Sequence, residues 1–408
     1  MHTLINRYKT YVALFASLLL YATTPHLHGE ITEVTLQEQL NAGKYKQVIN
    51  EHKNKTDNQS LFTQSICELS LSFEDFYQAL YRYGAKAESR MLRINIITPL
   101  ATNLKPEQVS YKAIRKELET FHDRLHKIET LLAKADDTDF NLPLDLTQLR
   151  LDVNNDGIYS EMETNINLLL NLAGAPAQRE SNKFDALIHF DKSDLLWLRG
   201  YIQITLGLTD ILLAHDFEDP FDMFSNTIFP RPNNNYNELF HAEKDWESAA
   251  NIIAAIHLLR MDVTEPQRLK NAHQHFLNMT KESRIMMKSI LQETDNIREW
   301  IPSPTQDSVT GIKITKEMAK EWENVLIEIE AVLNGKALIP HWRVDIENKG
   351  INIKRIFHEA KQTDFILWAT GHAAAPYLEE GKLTPNATWS RLNRVFGNNL
   401  LGASFFIN

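Results

Sequence analysis

Cysteine is almost absent from this chain of 408 residues: Cys67 stands alone. A single thiol excludes a disulfide framework within the chain, and a chain of this length builds a core without such staples. Flanked by Ile66, Leu69 and Leu71, Cys67 reads as a small buried hydrophobe. Glycine and proline are scarce, at 14 each, which argues against a loop-rich or sandwich fold and leaves room for long helices. Positive charge is short as well. Lys and Arg number 43 against 53 Asp and Glu, for a formal net charge of −10. No basic stripe with interleaved aromatics occurs, so nucleic acid and an anionic membrane surface are poor partners. The common catalytic signatures are missing too: no H-E-x-x-H, G-x-S-x-G, P-loop or G-x-G-x-x-G.

Against these absences stands an N-terminus with Arg7 and Lys9 followed by an apolar run from Tyr11 to Ala22. That run is too short to span a bilayer comfortably and has the layout of a secretory signal peptide, assigned to residues 1–29. An uncleaved anchor is the rival reading. Removing the segment takes away Arg7 and Lys9, so −10 becomes −12. The expected location is periplasmic or secreted, with no stable membrane insertion once the signal is gone.

Helical periodicity dominates the rest of the chain. From Pro106 to Lys134, Ile114, Leu118, Phe121, Leu125, Ile128 and Leu132 recur at steps of four and three, an amphipathic helix with Pro106 in its first turn. Further helices are expected at 33–54, 60–98, 160–173, 193–215, 242–260, 265–299 and 316–334. Thr264 with Gln267 forms a candidate capping box, and Thr315 can cap the helix that stops at Gly335. The segment 193–215 is apolar on most sides and is read as a central helix. Its Arg199 calls for a salt-bridge partner, and Asp191 or Ser193 for a capping role. Irregular stretches are expected at 135–148, 174–183, 217–238 and 300–312, the third rich in Phe (Phe217, Phe221, Phe224, Phe229). Residues 337–346 and 366–370 suit short strands. The fold class is therefore mainly α: a multi-helix bundle with a few short strands near the C-terminus. A soft division gives an N-terminal helical region at 30–135, a junction at 136–175 and a larger region at 184–408. One continuous helical domain is the alternative.

The junction carries the most specific signal. Residues 152–163 read D-V-N-N-D-G-I-Y-S-E-M-E, filling the pattern D-x-[DN]-x-[DN]-G-x5-E. Side-chain oxygens at Asp152, Asn154 and Asp156 suit a hard cation, and Gly157 permits the sharp turn. Ile158 offers its carbonyl, Ser160 acts through a water, and Glu163 closes the shell. The twelve residues resemble the calcium loops of the EF-hand and dockerin family. What the resemblance implies is Ca2+ held by Asp152, Asn154, Asp156, the Ile158 carbonyl and Glu163. It covers this loop and the helix after it, no partner loop is present, and Pro143 with Leu144, Leu146, Leu149 and Leu151 suits an extended approach as well as a helix. A single copy points to a structural clip rather than a sensor. The alternative is an acidic turn that merely starts a helix at Ser160.

Other candidate chemistry is thinner. His215, Asp216, Glu218, Asp219 and Asp222 form an acidic group open to a second metal or to plain helix-end electrostatics. His273 and His275, two apart on a helix, face different sides and cannot chelate together. His341, Arg343 and His372 lie in a tail rich in Trp and Tyr, where a pocket could meet the Phe-rich segment. The order of N-terminal signal, helices, D-x-N-x-D-G loop, Trp197-Leu198-Arg199-Gly200 helix and closing Gly402-x-x-Phe405-x-x-Asn408 resembles secreted bacterial proteins and carries no activity with it. The sequence thus favours an exported calcium-binding helical protein with a binding or scaffold role. An extracytoplasmic hydrolase-like enzyme, its site between the Phe-rich segment and the tail, is the alternative.

Overall fold

The computed structural model describes residues 35–85, 102–165, 186–234, 236–239, 245–309 and 314–385. The proposed export signal and most of the helix expected at 160–173 lie outside them. Within these residues the fold is mainly α, as composition and periodicity predicted.

Five long helices carry the architecture. They are α3 (Asn58–Arg82), α4 (Tyr111–Leu132), α5 (Lys192–Leu213), α9 (Pro266–Ile290) and α10 (Lys316–Leu333). The α5 helix sits between α4 and α9, and α3 flanks α4. Its near-continuous apolar sequence explains this place: Leu195, Leu198, Ile202 and Leu206 join Leu125, Ile128 and Leu132 of α4 and Phe62, Ile66 and Leu71 of α3 in one core. Cys67 lies fully buried in that core. A second cluster pairs Met286, Met287 and Ile290 of α9 with Trp322, Val325 and Leu326 of α10. Gly207 lets α5 and α9 approach closely, since a Cβ there would lie 2.9 Å from the Phe276 ring.

Local chemistry sets the helix ends. Asp191 caps α5, its carboxylate accepting from Ser193 N at 2.7 Å and Asp194 N at 3.2 Å, while Asp194 accepts from Asp191 N in return. Thr315 caps α10 by accepting from Met318 N, and Gly335 ends it at φ +70°. Arg199 of α5 has the expected partners: Glu129 of α4 at 3.1 Å and Glu282 of α9 at 3.2 Å.

The shorter elements correct several expectations. The helix expected at 33–54 is split into α1 (Leu36–Asn41) and α2 (Tyr45–His52), because Gly43 turns the chain at φ +68°. Helix α4 starts at Tyr111 rather than Pro106, since Ser110 accepts from Ala113 N and stops the helix growing backward. Glu265, not Thr264, precedes α9 and makes no side-chain cap; Thr264 N and Glu265 N both donate to Ala214 O, tying α9 to the end of α5. That helix ends at Ile290, and 291–299 is irregular.

The Phe-rich segment is not a long irregular loop. Its aromatics at 217, 221, 224 and 229 fall at near-helical spacing, and α6 (Glu218–Ile228) forms there. Two further helices come after it, α7 (Tyr236–Leu239) and α8 (Asp245–Leu258).

Residues 366–369 are helical rather than extended, as part of α12 (Phe365–Ala369) with Thr370 at its C-cap, because Asp364 caps them by accepting from Leu367 N. Of the strand expected at 337–346 only β5 (Ile339–Pro340) forms, pairing antiparallel with β6 (Lys349–Ile351), which also pairs with β8 (Leu378–Glu380). Strands are not confined to the tail. β1 (Leu142–Leu144) pairs with β2 (Ile188–Phe190) beside the bundle, and β3 (His215–Asp216), β4 (Arg260–Val263) and β7 (Gln362–Asp364) make a third small sheet. One more short helix, α11 (Ile353–Glu359), leads into β7.

Candidate metal centre

The loop 152–163 hangs from the main core by its approach segment. Leu149, Leu151 and Val153 are buried, and after β1 and a single 3-10 turn at Leu146–Gln148 the chain is extended rather than helical. An antiparallel bridge, Arg150 to Thr164, closes the loop's base, with Leu151 N donating to Glu163 O and Asn165 N to Leu149 O. Helix α3 supports it from behind: Gln78 Nε2 donates to Asp152 O at 2.7 Å, and Glu74 accepts from Asp152 N at 2.9 Å.

Inside the loop the acidic side chains fold back on the backbone. Asp152 is buried and accepts from Asp156 N and Gly157 N, both at 3.0 Å. Asn154 Oδ1 accepts from Asp156 N at 3.0 Å, and Asp156 Oδ1 from Ile158 N at 2.8 Å. Glu163 is buried and swings across the loop, taking Val153 N on one oxygen and Ser160 N and Oγ on the other. Gly157 adopts φ +79° with open space where a Cβ would sit. The Ile158 side chain is exposed, and its carbonyl accepts from Ser160 N, leaving a second lone pair. The chain after Ser160 is a 3-10 turn, Glu161–Glu163, rather than the start of an α-helix, because Thr164 is held extended by its bridge to Arg150.

The loop is short of neutralising charge. Asp152 and Glu163 are buried, and Glu74, also buried, stands directly behind Asp152. Burial, with the negative charges of Asp152 and Asp75, pushes the Glu74 carboxyl up to about 7. Burial and Glu74 push the Tyr159 phenol up to about 12. Oxygen donors from five loop positions with a buried carboxylate behind them suit a hard dication.

A second carboxylate group was not singled out from sequence. Asp191, Glu293 and Glu299 each place an oxygen within 4.8 Å of the others. Asp191 was read only as a helix cap, which it is. The signal that could have found the others is the spacing Glu293-x-Asp295-x3-Glu299 just past a helix. Burial pushes all three up: Asp191, beside Asp139 and Asp295, to about 6, Glu299, beside Asp191 and Asp295, to about 7, and Glu293, beside Asp191 and Glu299, to about 8; burial and the same acids raise Asp194.

The remaining sequence candidates are dispersed. His215 is buried, its Nδ1 bonded to Ile211 O at 2.6 Å and its Nε2 to Thr363 Oγ1 at 2.9 Å, so its ring serves the junction of α5 and β7. His273 and His275 point apart: the former meets Leu333 O and His358, the latter Gln203. His341 lies against Gly371 and stacks with Trp342, which Arg343 covers. The Phe-rich segment packs elsewhere, with Phe217 on Tyr111 and Phe229 on Tyr83. A cleft of about 360 Å3 beside α5 is lined by Leu132, Lys192, Arg199 and Glu282. The Arg199 guanidinium on its wall is already held by two carboxylates.

No family model, curated protein or solved structure matches this chain. Among the described residues no helix is long and apolar enough to cross a membrane.

Proposed function

We propose that this chain is an exported calcium-binding helical protein whose ion is structural. The reading rests on one observation: Asp152 and Glu163, the first and last positions of the loop, are both buried, and each accepts from backbone amides of the loop, Asp152 from Asp156 and Gly157, Glu163 from Val153 and Ser160. A dication would neutralise the two carboxylates and, at longer range, Glu74. It would fix the 149–165 segment against α3, and through Leu149, Leu151 and Val153 against the main core. Metal binding and local folding are then one equilibrium. The role beyond the ion is binding or scaffolding outside the cytoplasm.

Thermal unfolding of the full chain in chelator and in excess calcium tests the reading. Calcium at a hundred times its dissociation constant should add about 2.7 kcal/mol of stability. Glu163→Gln should remove that gain while leaving the chelator curve close to wild type. Superimposable curves with and without calcium would end the proposal.

A further inference from the structure

Helix α8 has the composition of a core helix and the exposure of a surface one. Nine of its fourteen residues are apolar, yet none of its described side chains is buried. A helix so composed belongs under cover. Trp246 is 66% exposed, Ile252 65%, Ile253 60% and Ile256 44%. The helix packs on α6, and Glu247, Ala254, Ala255 and Leu258 on one side of it are half-buried. The apolar surface continues past its end, because Phe365 N donates to Leu259 O at 3.0 Å and both Phe365 and Leu367 are exposed.

The bare residues follow a pattern. Trp246, Ala249, Ile253 and Ile256 are all exposed and recur at steps of three, four and three. These are the a and d positions of a heptad, the spacing that accepts side chains from a facing helix. Ala250 and Ile252 flank the stripe and are exposed as well. An apolar stripe of this kind on the surface marks a place where another molecule sits.

We propose that α8 pairs with α8 of a second copy of this chain, antiparallel about a two-fold axis. The seam is complementary to itself in that arrangement, which sets a positions level with d positions. Trp246 of one copy then faces Ile256 of the other, and Ala249 faces Ile253. The symmetry repeats both layers, and each matches a larger side chain with a smaller one, as interdigitating layers require. The charges at the helix ends select the same orientation. Asp245 and Glu247 stand in the first turn and His257 in the last, with exposed Arg260 just beyond. Antiparallel pairing brings each acidic end to the other copy's basic end, and it opposes the two helix dipoles. Parallel pairing would set acid on acid and base on base. A two-fold contact is also closed: it uses the seam completely and leaves no edge for further growth.

Sedimentation equilibrium of the full chain in excess calcium tests the pairing. The mass of two chains is expected at concentrations up to about 100 μM. Ile253→Asp, at an exposed position, should weaken association by at least about tenfold, with far-UV circular dichroism unchanged. Cys67 is fully buried, so single cysteines can report orientation. Under mild oxidation, a mixture of Ala249→Cys and Ile253→Cys chains should form a disulfide dimer, and neither variant alone should do so. A wild-type chain that stays monomeric overturns the proposal, whether its seam is covered by another stretch of the same chain or awaits a different protein or a lipid surface. A dimer that Ile253→Asp leaves intact overturns it too, as does cross-linking of each single variant to itself but not to the other.

Discussion

The ring of Tyr159 occupies the space that a side chain at Gly43 would need. A Cβ at Gly43 would lie 2.0 Å from Tyr159 Cε1, and Gly43 already sits at φ +68°. The turn between α1 and α2 is thus packed onto the loop that we assign to calcium. Gly43→Ala must push Tyr159 aside and strain the backbone. It is expected to destabilise the chain by about 2–4 kcal/mol. It should also weaken calcium, because Tyr159 lies inside the loop and its hydroxyl faces Glu74. Denaturant unfolding with and without calcium checks both effects.

Arg199 joins three helices by one guanidinium. Arg199→Met removes the partner of Glu282, which is buried and already has one oxygen without a hydrogen bond among the described residues. A loss of about 3 kcal/mol is expected in urea unfolding. Arg199→Lys should recover only part of it, since an ammonium cannot span both carboxylates as the planar fork does.

The group Asp191, Glu293 and Glu299 predicts an unusual pH response in chelator. Their carboxyls are raised to about 6, 8 and 7 in the folded state. A raised carboxyl pKa means that the folded chain holds its proton more tightly than the unfolded chain. Their contribution therefore favours folding at low pH and is lost as pH climbs from about 4 through about 8. The melting temperature should fall across that window. Glu293→Gln keeps an acceptor for Ser193 Oγ, flattens the curve and gains about 1–2 kcal/mol at pH 8. A melting temperature that rises from pH 5 to pH 8 would contradict this reading of the three acids.

Where sequence and structure agree, the reason is local. Thr315, Asp191 and Gly335 were legible because caps and stops act within one turn of the chain. The apolar sequence of α5 marked it as central because a helix without a polar face has to be covered. The misses have physical causes too. Phe217 to Phe229 were read as a loop because Pro220 and the Asn run hid a helical spacing. Ile366 to Thr370 were read as extended because five residues are too few to show a period of their own. The contacts of buried Asp210 were invisible for a different reason. His122, Asp210 and His275 are each ordinary on their own helices, and only the crossing of α4, α5 and α9 brings them together.

Whether residues 152–163 enclose one calcium ion is decided by calorimetric titration of the metal-stripped full chain. Saturable heat is expected in wild type, with a Glu163-dependent part that corresponds to one Ca2+, lost in Glu163→Gln and kept in Glu293→Gln. Identical isotherms from wild type and Glu163→Gln, or no heat from wild type, would refute the calcium loop.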